Sequence, residues 1–237
     1  MKKKTSHENE LTRREFISKT SLTGGAIAAA VASDFGISIQ AMMPDLNQEK
    51  PVHTKVKLKV EKLTPENFRP FGIVLIPDGR DRLPINTYGD KMDLYHDGFE
   101  SDQPVEWFIA NFRPRWNGVL FLERHFQITQ TFIPIGGKPF LTVMAPPDCK
   151  EENGLPAISE MRAFYVPGDT PIQIYRKTWH ENPMALEDLN LLVTAHRTLI
   201  KGHIKGGYDK ALDALPVDLE RRWYKKEGFE ISLDYKS

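Results

Sequence analysis

Four polar side chains in the middle of the sequence have the types and the spacing of a metal site. Glu123 and His125 are two positions apart, so on a β-strand their side chains point to the same face. Gln130 follows five residues after His125, and His180 lies fifty residues further along. Imidazole, carboxylate and amide donors suit a divalent first-row metal such as Ni, Mn, Zn, Fe or Co. The alternative is that the two histidines line a barrel and are held by hydrogen bonds, while Glu123 pairs with Arg124 or another cation.

The composition restricts the class of protein and its partners. The 237 residues include 32 basic and 32 acidic side chains, so no excess positive charge is available for nucleic acid or an anionic membrane surface. With 40% apolar and 10% aromatic residues, the chain is typical of a globular protein that buries a core. The single cysteine, Cys149, excludes an intramolecular disulfide and a cysteine-based zinc cluster. We therefore expect a globular protein with no nucleic-acid partner.

The segments that must position the four residues read mostly as short β-strands. Residues 55–60 alternate polar and apolar side chains with period two, and Thr64-Pro65 predicts a single helical turn. Further strand-like runs are separated by Gly, Pro and Asp. These runs are 71–76, 107–112, 118–123, 129–133, 140–145, 161–166, 172–175 and 189–194. Many short strands with turns between them predict an all-β barrel or sandwich in one domain.

The first 32 residues resemble a twin-arginine signal peptide. Arg13-Arg14 is followed by Phe16 and by a Gly/Ala-rich apolar stretch that ends in the small residues of 30–32. That stretch is shorter than the roughly twenty apolar residues of a membrane span. The alternatives are an amphipathic helix or a membrane anchor. We expect export through the twin-arginine translocase to the periplasm, with residues 33–54 as a flexible tether.

The C-terminal extension, residues 199–237, has a different pattern from the strand-rich domain at 55–198. Residues 208–215 are helix-like, Pro216 interrupts them, and 218–225 can resume a helix. Alternating apolar residues then predict a closing strand. These are Phe229, Ile231, Leu233 and Tyr235. We expect this extension to be a structural annex rather than a second functional domain.

The spacing of the four polar residues resembles the two motifs of the cupins. Glu123 and His125 stand in the places of the two histidines of the first motif, Gln130 stands in the place of its glutamate, and Gly137 follows seven residues later. Residues 166–169 leading to His180 resemble the second motif. The resemblance implies an RmlC-like jelly-roll β-barrel, to which we add short flanking helices and the helical C-terminal extension.

Longer stretches over residues 63–197 are similar to the ureidoglycolate lyase family. They include Glu123-Arg124-His125, Gln130-Thr131-Phe132-Ile133-Pro134, Arg162-Ala163-Phe164 and Trp179-His180. Residues 63–72, 85–86, 112–113 and 139–146 match as well. Glu181 and His196 stand where the family has a second histidine and an aspartate. The resemblance implies a homodimeric enzyme of allantoin and purine catabolism that cleaves ureidoglycolate to glyoxylate and urea.

The family resemblance implies roles for the polar residues. A divalent metal held by Glu123, His125, Gln130 and His180 would bind the carboxylate and hydroxyl of the substrate, while a histidine or Glu123 takes the hydroxyl proton. His125, His180 and Glu123 are therefore the candidate catalytic residues. The metal could be Ni, Mn, Zn or Fe, and the sequence leaves its identity open.

Four further residues are candidates for substrate binding. A guanidinium fits a carboxylate bidentately, which favours Arg113, and Asn86 could orient the ureido group. Tyr175 and Lys177 come from the segment before His180. The alternatives are a surface ion pair for Arg113 and a turn role for Asn86. Three interpretations remain open: a ureidoglycolate lyase, a different small-acid enzyme on the same scaffold, and a non-catalytic exported cupin that binds a small carboxylate ligand.

Overall fold

The computed structural model describes residues 50–77, 82–85, 88–115, 117–197 and 218–236. This part of the chain is mostly β-strand, with one four-residue α-helix and short 3-10 turns, so the predicted cupin-like all-β fold is confirmed. The predicted signal peptide at 1–32, the tether up to residue 49, Asn86 and the predicted helix at 208–215 lie outside the described residues. Among the helices that are described, none has the length and apolar character needed to span a membrane.

Sixteen strands and one α-helix follow each other along the described ranges. The strands are β1 (Thr54–Lys62), β2 (Gly72–Val74), β3 (Val105–Phe112), β4 (Gly118–Val119), β5 (Phe121–His125), β6 (Gln130–Ile135), β7 (Phe140–Ala145), β8 (Glu151–Glu152), β9 (Leu155–Pro156), β10 (Arg162–Val166), β11 (Ile172–Ile174), β12 (Trp179–His180), β13 (Met184–Ala185), β14 (Leu189–His196), β15 (Leu219–Trp223) and β16 (Phe229–Asp234). The helix, α1, is Pro65–Phe68.

Most of these strands belong to two sheets. The larger has nine strands in the order β15-β5-β12-β7-β10-β1-β16-β4, with β13 also paired to β7. The smaller has the order β2-β11-β6-β14-β3, and β8 pairs with β9 as a separate ribbon. Strand neighbours are mostly distant in sequence, so the topology can gather side chains from β5, β12 and β15 at one place.

Two apolar clusters cover the two faces of β7, which explains why all six of its residues are buried. Phe140 and Met144 belong to a cluster with residues of the smaller sheet, such as Phe132 and Leu191. Leu141, Val143 and Ala145 belong to a second cluster, which includes side chains of β16. Because successive side chains of a strand point to opposite faces, a strand that is buried on both faces and apolar at five of its six positions can serve both clusters.

The helical turn that precedes β2 has the predicted cap. The Asn67 backbone N–H donates to Thr64 Oγ1 at 3.2 Å, and the Thr64 backbone N–H donates to Asn67 Oδ1 at 2.8 Å. This reciprocal pair is a capping box, and Pro65 stands at the start of the helix, where its missing N–H costs nothing. The turn buries Phe68, whose ring packs edge-on against Phe164 at 5.6 Å.

The C-terminal extension differs from its prediction. Residues 218–225 were expected to resume a helix, and this prediction is wrong, because β15 (Leu219–Trp223) pairs antiparallel with β5. Backbone pairing with the edge of β5 and the contact of Trp223 with Phe121, at 4.9 Å between ring centroids, outweigh a weak helical propensity. The closing strand is confirmed as β16, which pairs with β1 and β4. The two strands of the extension that lie in the described residues, β15 and β16, are thus part of the larger sheet.

Candidate functional site

Three polar side chains form a row across β15, β5 and β12. Glu123 lies directly opposite His180 in one strand pairing and directly opposite Arg221 in the other, so all three side chains project from the same face of the sheet. Glu123 Oε1 is 3.8 Å from His180 Nε2, and Glu123 Oε2 accepts hydrogen bonds from Arg221 Nη2 and, at 3.1 Å, from Arg221 Nε. All three side chains are buried.

His125 and Gln130 complete the predicted set. His125 lies two residues beyond Glu123 on the same face, and its ring stacks on that of His180 with centroids 5.6 Å apart. Gln130, the first residue of β6, belongs to the smaller sheet, and its Nε2 is 3.4 Å from His125 Nε2. One ligand atom from each of Glu123, His125 and His180 lies within 4.8 Å of the other two. The structure therefore brings together all four residues that the spacing predicts.

The outer nitrogens of both histidines face oxygen acceptors. His180 Nδ1 is 3.1 Å from the backbone carbonyl oxygen of Thr178, which can only accept a hydrogen bond, so Nδ1 carries the proton. His125 Nδ1 is 3.6 Å from Asp218 Oδ2, slightly beyond hydrogen-bond length. Histidines that bind metals typically hold the outer N–H in this way and turn the other nitrogen to the ion. The Nε2 atom of each ring is the one turned toward the cluster.

Burial and neighbouring charges set the protonation of the facing pair. Burial lowers the pKa of His180 to about 4, although the Glu123 carboxylate opposes this shift. Burial by itself would raise the pKa of Glu123, but the Arg221 guanidinium and the two histidines outweigh it and hold that pKa below its ordinary value. At neutral pH, His180 is therefore a neutral imidazole and Glu123 a carboxylate, which are the forms that bind divalent cations.

These residues fit a divalent metal. Glu123 Oε1 and His180 Nε2 are both proton-free acceptors at 3.8 Å, an arrangement that a cation between them would stabilise. Two bonds of about 2.1 Å at a tetrahedral angle separate their ligand atoms by about 3.4 Å, close to the observed distance. His180 Nε2 and Gln130 Oε1 are buried and have no hydrogen-bond partner among the residues that the structure describes. Rotating the Gln130 amide by 180° would present its oxygen to the same cluster.

Asp218 and Arg221 were not anticipated as site residues. The Asp218 carboxylate lies between two rings, with Oδ2 at 3.6 Å from His125 Nδ1 and 3.4 Å from His196 Nδ1. Burial by itself would raise the pKa of Asp218. The contact with His125 and the hydrogen bond from the Gln127 backbone outweigh burial, so the pKa lies below its ordinary value. The sequence pattern of 218–225 predicted a helix, and a helix in the C-terminal extension gave no reason to place either residue at the site. A strand reading would have put Leu219, Arg221 and Trp223 on one face, but only the pairing with β5 identifies that face as the site.

The substrate-binding candidates are not all near the cluster. Tyr175 and Lys177 are exposed on the segment between β11 and β12, where the Lys177 backbone N–H donates to the His125 carbonyl at 2.7 Å. Arg113 is exposed and follows the end of β3 that pairs with the start of β14, whereas the cluster adjoins His196 at the other end of β14. The ladder between those ends is about 23 Å of extended strand. Asn86 lies outside the described residues, and all four roles stay predictions.

Glu181, the residue after His180, supports the backbone beside the site. Its buried carboxylate accepts hydrogen bonds from the backbone N–H groups of Leu120 at 2.9 Å and Phe121 at 3.2 Å. Arg115 Nη2 donates to the other oxygen at 3.1 Å. Burial raises the pKa of Glu181 to about 7, against the attraction of Arg115. The carboxylate therefore fixes the start of β5, the strand that carries Glu123 and His125.

Comparison with known proteins identifies one family that the chain matches. The sequence profile described as ureidoglycolate lyase matches residues 55–206, more than half of the chain. A ureidoglycolate lyase of Pseudomonas savastanoi pv. phaseolicola is 36% identical over 137 residues, which cover 55% of this chain and 77% of that protein. Those of Brucella anthropi and Azotobacter vinelandii are each 33% identical, over 137 and 138 residues, with 55% of this chain and 76% and 79% of the relatives covered. The chain therefore belongs to the ureidoglycolate lyase family.

Proposed function

We propose that this protein cleaves ureidoglycolate to glyoxylate and urea. The observation that carries the proposal is the buried cluster of Glu123, His125 and His180, which lies within the part of the chain that matches the family. The relatives are named for this activity and are 36% and 33% identical to the chain over 137 matched residues. A small substrate with a carboxylate, a hydroxyl and a ureido group suits a site lined by buried polar side chains.

We propose that Glu123, His125 and His180 hold a divalent ion, with Gln130 beside them as a further ligand. Ni, Mn, Zn and Fe all accept imidazole and carboxylate donors. When bound, such an ion supplies a Lewis acid that polarises the oxygens of the substrate and lowers the pKa of its hydroxyl. The neutral Nε2 of His180 and the ionised Glu123 support this proposal, because neither has to lose a proton to bind the ion at neutral pH.

The cleavage needs one proton to move within the site. The hydroxyl loses its proton, a carbonyl forms at that carbon, and the carbon–nitrogen bond breaks with its electron pair going to the nitrogen of urea. That nitrogen then takes a proton, so no external acid or oxidant is needed. We expect Glu123 or one of the two histidines to take the hydroxyl proton and deliver it to urea, in a step in which that group is not bound to the ion.

Glyoxylate release tests the activity. Metal-loaded protein is incubated with ureidoglycolate, and glyoxylate is followed with a coupled reductase, beside the variants Glu123→Gln and Arg222→Met. The proposal expects turnover in the wild type and in Arg222→Met, whose side chain is on the opposite face of β15, and loss of at least a hundredfold in Glu123→Gln. No release above that in buffer would contradict the lyase. Thermal stabilisation by ureidoglycolate without turnover would instead identify a binding protein.

We propose that residues 1–32 direct export of the protein to the periplasm by the twin-arginine route. The arginine pair, Phe16 and the weakly apolar stretch that follows support this proposal. Cell fractionation of the full chain tests it. Replacing Arg13 and Arg14 together by lysine should leave the protein in the cytoplasm, whereas Lys19→Gln should be exported normally. Equal export of the double variant and the wild type would contradict the proposal.

We also propose that the protein forms a homodimer through the outer face of the smaller sheet. Trp107 and Ile109 are 56% and 66% exposed on β3, an edge strand of that sheet, and Ile135 of β6 is exposed on the same face. A second copy covering this face would remove their apolar surface from water. Light scattering should then show a dimer for the wild type and for Val52→Asp, which is exposed before β1, and a monomer for Ile109→Asp. A monomeric wild type would contradict this proposal.

A further inference from the structure

Two contacts behind the cluster of Glu123, His125 and His180 come from β15 and from the residue before it, which lie beyond the residues matched by the family. The match ends at residue 206, whereas Asp218 and Arg221 stand at the start and in the middle of the β15 segment. We propose that β15 and the residue before it form a positioning element, in which Asp218 orients His125 and Arg221 orients Glu123 for metal binding. This inference rests on the metal site of the proposed function.

Two hydrogen bonds hold the Asp218 carboxylate in one orientation, facing His125. Its Oδ1 accepts a hydrogen bond from the Gln127 backbone N–H at 2.9 Å, and its own carbonyl accepts one from the Phe126 N–H at 2.8 Å. These two bonds fix the carboxylate to the residues that immediately follow His125. Its second oxygen is left to face the Nδ1 atoms of His125 and His196. A carboxylate at Nδ1 favours the proton there and leaves the lone pair of Nε2 for a metal.

Arg221 restricts Glu123 in a similar way. Its guanidinium binds Glu123 Oε2 through two nitrogens and lies over the Phe121 ring, with Cζ at 4.0 Å from the ring centroid. The planar fork and the ring leave the carboxylate one orientation, in which Oε1 is directed toward His180. The guanidinium also opposes the approach of a cation, so its orienting effect and its charge act in opposite directions. A variant that keeps the charge isolates the orienting effect.

The register of β15 fixes both contacts at once. Arg221 pairs with Glu123 and Leu219 pairs with His125, while on the opposite face Arg124 Nε donates to Glu220 at 2.6 Å. A one-residue slip would turn Arg221 away from Glu123, because side chains alternate across a strand. Only in the observed pairing does the Asp218 carboxylate face His125 while the Arg221 guanidinium binds Glu123.

Metal titration of the full chain separates positioning from a merely structural role. Metal-free wild type, Asp218→Asn, Arg221→Lys and the control Asp234→Asn, an exposed residue of β16, are titrated with Ni²⁺ by calorimetry. We expect metal affinity to fall by about 10–100-fold in Asp218→Asn and by about tenfold in Arg221→Lys. The control should bind like the wild type. Wild-type affinity in both β15 variants would overturn the inference, whereas unchanged affinity in His180→Ala would overturn the metal site itself.

A second measurement on the metal-free protein does not depend on metal binding. Long-range ¹H–¹⁵N correlation spectra report which ring nitrogen of His125 carries the proton. We expect Nδ1 to be protonated in the wild type and the population to move toward Nε2 in Asp218→Asn, with His53 as an unaffected internal reference. The melting temperature of each metal-free variant shows that the fold is kept. An unchanged tautomer in Asp218→Asn would overturn the role of Asp218 even if no metal binds.

Discussion

Removing the Arg221 guanidinium should destabilise the protein more than removing its neighbour in sequence. Arg221→Met keeps most of the side-chain volume but leaves the buried Glu123 carboxylate without the guanidinium that binds it. Breaking a buried ion pair from one side typically costs about 3–5 kcal/mol, and the lost cation–π contact with Phe121 adds about 1 kcal/mol. Because domains unfold with about 5–15 kcal/mol, this loss is a large fraction of the total.

Urea unfolding of metal-free protein at pH 7.5 measures this loss. The matched control is Arg222→Met, which removes a partly exposed partner of Glu220 on the other face of β15 and should cost less than about 1 kcal/mol. Replacing Glu123 and Arg221 together by methionine should recover most of the stability, since no lone buried charge remains. A double-mutant cycle then gives a coupling energy of about 2–3 kcal/mol.

The cost should also depend on pH in a defined direction. In the wild type the pKa of Glu123 is held below its ordinary value of 4.5, so its contribution is present above pH 4.5 and is lost as the pH falls through the lower folded value. In Arg221→Met, burial dominates and raises that pKa, so ionised Glu123 destabilises the fold at neutral pH and protonation relieves the cost. The gap between the two proteins should therefore be smaller at pH 4.5 than at pH 7.5. Equal losses in Arg221→Met and Arg222→Met, with no coupling to Glu123, would refute the reasoning.

Two further changes test the packing around the site. Glu181 has a folded pKa of about 7 because it is buried, above its ordinary value of 4.5, so the folded state binds the extra proton and stability should fall by about 3 kcal/mol as the pH rises between these values. In Glu181→Gln that slope should be absent from urea unfolding curves of metal-free protein, and an unchanged slope would assign it to other groups. Tyr224→Phe removes a buried hydroxyl that donates to the Pro156 carbonyl at 2.5 Å and should cost about 1–2 kcal/mol in thermal unfolding. A loss below about 0.3 kcal/mol would show that this hydrogen bond adds nothing to stability.

The apolar frame could be predicted because its signals are local. The run at 140–145 coincides with β7, the run at 189–194 falls within β14, and Thr64-Pro65 marks α1 as expected. Alternation of side chains along a strand was sufficient to put Glu123 and His125 on one face. Their placement opposite His180 followed from the cupin-like spacing.

The contribution of β15 could not be predicted from local patterns. Residues 218–225 carry charged and apolar side chains at spacings that also suit a helix, and their strand partner, β5, is about a hundred residues away in sequence. Only this long-range pairing shows that Arg221 faces Glu123. Arg113 was chosen for the chemistry of its guanidinium alone, and its role in substrate binding stays a prediction.

The metal content of the purified protein tests the central claim most directly. Elemental analysis of the wild type and of His180→Ala, purified side by side without added metal, gives the moles of each divalent metal per chain. The account predicts about one Ni, Mn, Zn or Fe ion per chain in the wild type and a small fraction of that in the variant. Metal-free wild type, or equal metal in both proteins, would contradict a metal site formed by Glu123, His125 and His180.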